Sequence, residues 1–317
     1  MGHLLPKVSD DEGFEALRPD PTVWTPAIEA LAARHGLSGT VRMLAEGSCV
    51  LAEVGGRWIV KLFDPWSPER CATEQRALSW LAGVELPATT PELVAHDDLE
   101  GWSYLVMTRL PGCSMDAAWP HLGHHDRARL AQQLGEFAAA LHRLPLPADG
   151  IDADWPAFVE RQKRGCLARH RVHGALPDTA LDALAEFIDR TDLTDNRQVF
   201  LHTELTSGNA LIERRGDGWA LSGVVDFEPA AIGAPEYELP GIAIFVARGN
   251  AEVLRAALRG YGVEADVELA RRLTAWTLLH RYSHMGFFLR VAGLPTPNTL
   301  DELQRSLFPG VRSPRQA

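Results

Sequence analysis

Hydrophobic and polar positions follow two rhythms along this chain. Up to residue 110, short apolar runs alternate with polar ones and predict strands over 41–45, 50–54, 57–63, 94–98 and 102–110. Gly55-Gly56 between two of these runs predicts a tight hairpin turn. Helices are expected over 67–81 and as two pieces within 9–36. Asp10 and Asp11 can cap the first piece, which stops near Pro19; the second is expected to start at Thr25-Pro26, with Thr25 as cap, and to end at Gly36. Pro111-Gly112 then closes the strand-rich part. Beyond it apolar residues recur at helical spacing. Leu130, Leu134, Phe137, Ala138 and Leu141 form one stripe within 124–142, and further helices are expected over 155–171, 176–191, 239–248, 251–261 and 267–289. The tail from Pro309 is expected to fray. The pattern divides the chain into a strand-rich region, 1–110, and a mainly helical one, 111–317.

Two stretches interrupt the helical region with strand-like apolar runs that adjoin polar residues. The first, 200–212, carries His202, Glu204 and Asn209; the second, 222–228, carries Asp226 and Glu228. A carboxylate, an amide five residues on and a second carboxylate after a short hairpin offer the hard oxygen ligands that a metal–nucleotide complex needs. Upstream, Lys61 shares a strand face with Ile59 and Phe63. A lysine on a buried face needs a partner, and Glu74 near the middle of the following helix is the natural one. The alternative is an edge-strand lysine that reaches water, with Glu74 solvated. Gly47 and Ser48 sit in a turn between two strands, which either lies over phosphates or is an ordinary hairpin.

Composition narrows the partners. With 46% hydrophobic and 23% charged residues, the 317-residue chain is that of a soluble globular protein large enough for two cores. A net charge of −11 argues against nucleic acid and suits a cationic small molecule. Cys49, Cys71, Cys113 and Cys166 show neither metal-clip nor disulfide spacing, so a reducing cytoplasm is expected. No signal peptide or membrane span is expected, and the chain is read as a monomer. His121, His124 and His125 read as a surface loop rather than a metal site, and His280 as a core or rim residue.

In order, the parts are a glycine turn, a strand lysine, a helix glutamate, a strand leading to a hinge, helices, then His-x-Glu-x4-Asn and a strand-borne aspartate. This layout resembles the aminoglycoside phosphotransferase family, within the kinase-like fold, over nearly the whole chain. It is most similar to the hygromycin B 7″-O-kinase type. The similarity includes Ser9-Asp-Asp-Glu, Trp24-Thr-Pro, Val60-Lys-Leu-Phe, the run from Tyr104 to Gly112, and Leu141-His-Arg-Leu-Pro. The resemblance implies an α+β, bilobal protein-kinase-like fold, with a small β-rich N-lobe that binds nucleotide and a larger, mainly helical C-lobe that binds the acceptor. It also implies ATP or GTP with Mg2+, and transfer of the γ-phosphoryl group to a hydroxyl of an aminoglycoside, hygromycin B first. A kinase of another amino sugar, amino alcohol or antibiotic, and a nucleotide-binding scaffold, are the alternatives.

By the same resemblance Lys61 holds the α- and β-phosphates and Glu74 orients it. Asn209 and Asp226 hold Mg2+. Met107, Thr108, Arg109 and Leu110 form the hinge that meets the base. Glu204 falls at the catalytic carboxylate, and His202 braces the loop. The family usually reads His-Gly-Asp where this chain has His202-Thr203-Glu204, which lengthens the acid by one methylene and stiffens the turn. Glu228, Glu236 and Glu238 are expected to form an anionic rim for the acceptor's amines, or else a solvated acidic loop.

Overall fold

The computed structural model describes residues 3–45, 47–148, 151, 154–194 and 197–310; Glu46 in the glycine turn and the tail beyond Gly310 lie outside the described residues. The chain forms two compact units. One comprises residues 1–85, 89–111 and 225–229; the other comprises 86–88, 112–224 and 230–317.

The first unit begins with α1 (Asp11–Leu17), whose first turn is capped by Asp10 through the N–H of Gly13 (2.8 Å). The next helix, α2 (Pro21–Arg34), starts a turn earlier than Thr25-Pro26 suggests. Asp20 is its cap, accepting from the N–H of Thr22 (2.9 Å) and from its hydroxyl (2.7 Å), and Pro21 takes the first position. Pro26 therefore lies inside the helix. Strands β1 (Val41–Leu44), β2 (Val50–Val54) and β3 (Trp58–Leu62) follow, then α3 (Pro68–Leu81), β4 (Leu93–Leu99) and β5 (Trp102–Thr108). All neighbours in the sheet are antiparallel, in the order β1-β2-β3-β5-β4.

Gly55 and Gly56 both have positive φ, as the two-residue turn between β2 and β3 requires. A Cβ on Gly55 would sit 2.1 Å from the Ser38 carbonyl oxygen, so no other residue fits there without backbone movement. One face of the sheet packs on α2. Val50, Ala52, Val54, Val60, Leu62, Tyr104 and Val106 meet Trp24, Ile28 and Leu31. Phe14, Trp24 and Trp102 close this core with ring centroids 5.4–6.0 Å apart, Trp24 edge to face with each of the others and Phe14 tilted against Trp102. The strand order makes β3 internal, so Lys61 has no sheet edge along which to escape to water.

The second unit contains β6 (Cys113–Ser114), α4 (Met115–Ala118), α5 (His124–Leu141), α6 (Trp155–His173) and α7 (Asp178–Asp189). It continues with β7 (Val199–Leu201), β8 (Ala210–Arg215), β9 (Gly218–Val224), β10 (Ala231–Gly233) and α8 (Leu239–Ile242), and ends with α9 (Ala251–Tyr261), α10 (Val267–Leu279), α11 (Met285–Ala292) and α12 (Leu300–Leu307). β7 pairs with β10, while β8 lies between β6 and β9. These strands flank the two polar stretches, and the helices bury their apolar stripes around them.

The run 239–248 is only partly α-helical, because residues 243–247 widen to a π-helical turn and Arg248 ends it in the left-handed region. The expected single helix over 267–289 is two. His280 leaves helical geometry because its Nε2 bonds the Thr203 carbonyl oxygen (3.1 Å), and α11 restarts beyond it. Among the described residues no helix is long and apolar enough to cross a membrane. All four cysteines are free thiols.

Candidate active site

The chemistry of the first unit gathers on Lys61. Its side chain points to the sheet face away from α2 and is only 5% exposed. An ammonium has three N–H donors. Here it donates to Glu74 Oε2 (2.7 Å) and Asp226 Oδ1 (2.6 Å), and Glu228 Oε2 stands in ion-pair contact at 3.0 Å. Glu74 is 1% exposed and does two jobs: Oε2 meets Lys61, and Oε1 accepts the backbone N–H of Phe227 (3.1 Å). It thus ties α3 both to the strand lysine and to the chain just past Asp226. Of the two readings of Lys61 and Glu74, the buried pair is the one observed. Three carboxylates gather round one ammonium. Burial pushes the Glu74 carboxyl up to about 7 against the pull of Lys61. Burial pulls Lys61 down, but Asp226, Glu74 and Glu228 outweigh it and hold the ammonium well above its usual range. The carboxylate oxygens of Glu74, Asp226 and Glu228 lie within 4.8 Å of one another, close enough to hold an ion, but the ammonium already forms an ion pair with each of those residues.

β9 stops at Val224, and Asp226 adopts a left-handed backbone (φ 74°), so strand alternation does not extend to Glu228. Glu228 was expected to face the acceptor. Instead it is 7% exposed and paired with Lys61 and with Arg70 Nη2 (2.6 Å). Arg70 was not singled out by its motif, yet it lies one turn before Glu74 on α3, and that i, i+4 spacing puts both on one helix face. Its guanidinium also reaches Asp64 Oδ2 (3.0 Å) and Ser48 Oγ (2.6 Å), which anchors the turn of Gly47 and Ser48. Gly47 has φ 85°, and its carbonyl accepts from Arg18 (2.8 Å).

Of the four residues expected to form a hinge, three have their backbone paired within the unit. Met107 is paired on both sides of β5, the N–H of Thr108 bonds Glu92 O (2.9 Å), and that of Arg109 bonds Arg57 O (2.8 Å). The Arg109 side chain is held by Glu53 (2.8 Å). Leu110 follows as the first position beyond these pairings.

In the second unit the loop after β7 is built from within. His202 is fully buried; its backbone N–H donates to Glu238 Oε2 (2.7 Å), and its Nδ1 accepts the N–H of Glu204 (3.2 Å). That bond requires Nδ1 unprotonated and puts the neutral ring's proton on Nε2. The brace assigned to His202 is therefore physical: it sets the direction in which Glu204 leaves the backbone. Thr203 between them has φ 71°, a left-handed conformation that a β-branched residue adopts only under strain and that glycine would adopt freely. The Glu204 carbonyl accepts from Thr206 N (2.8 Å) and Asn209 Nδ2 (3.1 Å). With its amide nitrogen committed, Asn209 offers Oδ1, the atom type that Mg2+ takes. Farther along the loop, Ser207 Oγ donates to Asp116 Oδ1 (3.0 Å), and Arg248 donates to both residues.

Glu238 is not a rim residue. It is fully buried, and besides the His202 N–H its Oε2 meets His142 Nε2 (3.4 Å), whose Nδ1 is bonded to Tyr261 OH (2.8 Å). Its role is internal, tying the loop after β7 to α5 through His202 and His142. Glu236 is half-buried in a pocket of about 270 Å3 with Asp192, Thr194 and Trp276, and Arg272 grips its carboxylate through Nη2 (2.8 Å) and Nε (2.9 Å). Of the three carboxylates expected to form an anionic rim, or else a solvated acidic loop, Glu228 and Glu238 are buried and Glu236 is paired with Arg272.

His280 adds a pH dependence. Burial pulls its pKa down to about 4, with the Thr203 carbonyl and Glu238 raising it and Arg281 and Arg169 lowering it. A histidine depressed below its ordinary value near 6.5 protonates first in the unfolded chain. Its contribution is thus fully present above about pH 6.5 and is lost as pH falls toward 4, a change of roughly 3 kcal/mol. In His280→Gln the unfolding free energy, read from urea titrations at pH 7 and 4.5, should lose much of this acid-side fall.

A lysine paired with a helix glutamate, an aspartate on the turn after a strand, and a His-braced carboxylate loop together define a phosphotransferase of kinase-like fold. Comparison with known proteins agrees. The phosphotransferase enzyme family matches residues 48–276, and the chain belongs to it. The chain is 27% identical over 157 residues to an aminoglycoside 3′-phosphotransferase of Streptomyces fradiae, covering 47% of this chain and 57% of that protein. It is 25% identical over 203 residues to a lysine-specific demethylase of Arabidopsis thaliana, covering 51% of this chain and 22% of that protein. These matches span about a fifth and just over half of the relatives' lengths. Among solved structures, a macrolide 2′-phosphotransferase of Brachybacterium faecium is 25% identical with a TM-score of 0.59, over 90% of this chain and 99% of that one. The GDP complex of an aminoglycoside 2′-phosphotransferase shares the fold at 17% identity and a TM-score of 0.65, over 84% and 96%.

Proposed function

We propose that this chain is a kinase of small hydroxylated cations, which moves the γ-phosphoryl group of ATP or GTP to a hydroxyl of an aminoglycoside. Hygromycin B, in the manner of the 7″-O-kinases, is the first acceptor to test. The observation that carries the reading is the buried Lys61 bonded to both Glu74 and Asp226. A polar cluster of this kind is costly to bury and suits a phosphate-binding lysine held in one orientation. Membership of the phosphotransferase family supports it, as does a structural relative solved with GDP bound.

In this reading Lys61 holds the α- and β-phosphates, Glu74 aligns it, and the backbone at Gly47 and Ser48 covers them. Leu110, past the paired positions of Met107, Thr108 and Arg109, meets the base. Asn209 through Oδ1 and Asp226 through its carboxylate would hold Mg2+, whose charge offsets that of the triphosphate. Glu204 orients the acceptor hydroxyl. As its oxygen bonds to the γ-phosphorus and the bond to the departing nucleoside diphosphate breaks, the hydroxyl proton passes to Glu204. The macrolide enzyme among the structural relatives favours, as a second reading, another antibiotic as acceptor.

The test is transfer of labelled γ-phosphate to hygromycin B and to a panel of aminoglycosides, macrolides and sugars, with products identified by mass. Glu204→Gln should lower kcat about 10²–10⁴-fold, the usual contribution of a positioned base. Unchanged turnover would remove Glu204 from the base role; nucleotide binding without any product would favour a scaffold instead.

A further inference from the structure

Lys61 is ringed by carboxylates where a phosphate would have to approach. It donates to Glu74 Oε2 and Asp226 Oδ1, and Glu228 Oε2 stands 3.0 Å from its Nζ in an ion pair. Glu74 cannot readily leave, since it is the most buried of the three and its other oxygen holds the Phe227 N–H (3.1 Å). Glu228 differs. Its contact with Lys61 is the longest, at 3.0 Å, and its other oxygen already lies on Arg70, at 2.6 Å from Nη2 and 3.1 Å from Nε. It has a second cation to move to. The surroundings also disfavour a polyanion: four carboxylates (Asp64, Glu74, Asp226, Glu228) face two cations (Lys61, Arg70).

We propose that Glu228 is an internal occupant of the phosphate-binding donor of Lys61, and that Arg70 is a positioning residue that draws Glu228 away when a nucleotide binds. This rests on the reading of Lys61 as the phosphate-binding lysine. Arg70 suits the task because a planar guanidinium can keep Glu228 while it also holds Asp64 Oδ2 (3.0 Å) and Ser48 Oγ (2.6 Å). The same bonds couple the exchange to the turn of Gly47 and Ser48. Without Arg70, Glu228 would have Lys61 as its only strong cationic partner, and phosphates would have to displace it unaided.

The experiment is a double-mutant cycle in nucleotide affinity, read from the fluorescence of N-methylanthraniloyl-ADP with and without Mg2+. Arg70→Met should weaken binding about tenfold, Glu228→Gln should tighten it severalfold, and in the Glu228→Gln background Arg70→Met should cost less than about twofold. In steady-state kinetics the Arg70 loss should appear in KM for the nucleotide and not in KM for the acceptor. An equal penalty for Arg70→Met in both backgrounds would overturn the exchange and leave Arg70 a structural residue. If Arg70→Met does not fold, Arg70→Lys, which keeps the charge but loses the planar grip, serves in its place with a smaller loss of the same pattern. Absence of nucleotide binding by the unmodified protein would overturn the phosphotransferase reading itself. Binding with strictly additive variants would overturn only the exchange.

Discussion

Lys61→Met should abolish most phosphoryl transfer, lowering turnover by roughly 10³-fold, because the charge aimed at the phosphates is lost with its side chain. Stability should fall with it. Methionine fills similar volume but leaves Glu74, Asp226 and Glu228 facing one another without their shared ammonium. Removing one partner from a buried ion cluster costs about 3–5 kcal/mol, more than an intact cluster contributes, because the remaining charges stay desolvated. Arg70 still neutralises part of Glu228, which keeps the loss from being larger. Single-turnover transfer and urea denaturation of the same preparation check the two halves. Turnover within a few-fold of the unmodified protein would show that Lys61 is not the phosphate-binding lysine.

The second large effect is expected at Glu238, which touches no reacting atom. Glu238→Ala removes the acceptor of the His202 backbone N–H (2.7 Å) and the partner of His142 Nε2 (3.4 Å), both buried. Each buried polar group left unsatisfied costs about 1–3 kcal/mol, so a loss of about 3 kcal/mol is expected at this position. The kinetic effect follows from the chain of bonds. Glu238 fixes the His202 backbone and His202 Nδ1 fixes the N–H of Glu204, the residue proposed to orient the acceptor. A shift of about 1 Å at the base can lower kcat roughly 10²-fold. Glu238→Gln keeps an oxygen for the His202 N–H and should restore most of the rate. Equal stability losses in both variants, with normal kcat in Glu238→Ala, would separate Glu238 from catalysis.

How much of this was legible in the sequence varies from residue to residue. Lys61 and Glu74 were readable as a pair because strand alternation put the lysine on an apolar face and one helix followed. Spacing singled out Asp226 and Asn209 as candidate metal ligands; in the folded chain Asp226 pairs with Lys61 and Asn209 Nδ2 bonds the Glu204 carbonyl. Arg70 had a signal, its i, i+4 relation to Glu74, but a charged helix residue is usually solvated and the signal alone does not distinguish the cases. Glu228 and Glu238 were misjudged for one reason: strand period and loop composition do not report whether a carboxylate meets a cation or a buried N–H from a distant segment. The start of α2 was misjudged because Asp20 and Thr25 are both competent caps, and Asp20 with Pro21 is the one the folded chain uses.

By itself the sequence determined most of the order of elements and the glycine hairpin, because these depend on local periodicity and turn conformation, while the kinase-like layout was implied by its resemblance to a known family. Only the tertiary structure decided which charges are buried and with whom they pair. A carboxylate's energy depends on its solvation and on neighbours that can be distant in the chain, as Lys61 and Asp226 are at 165 residues apart.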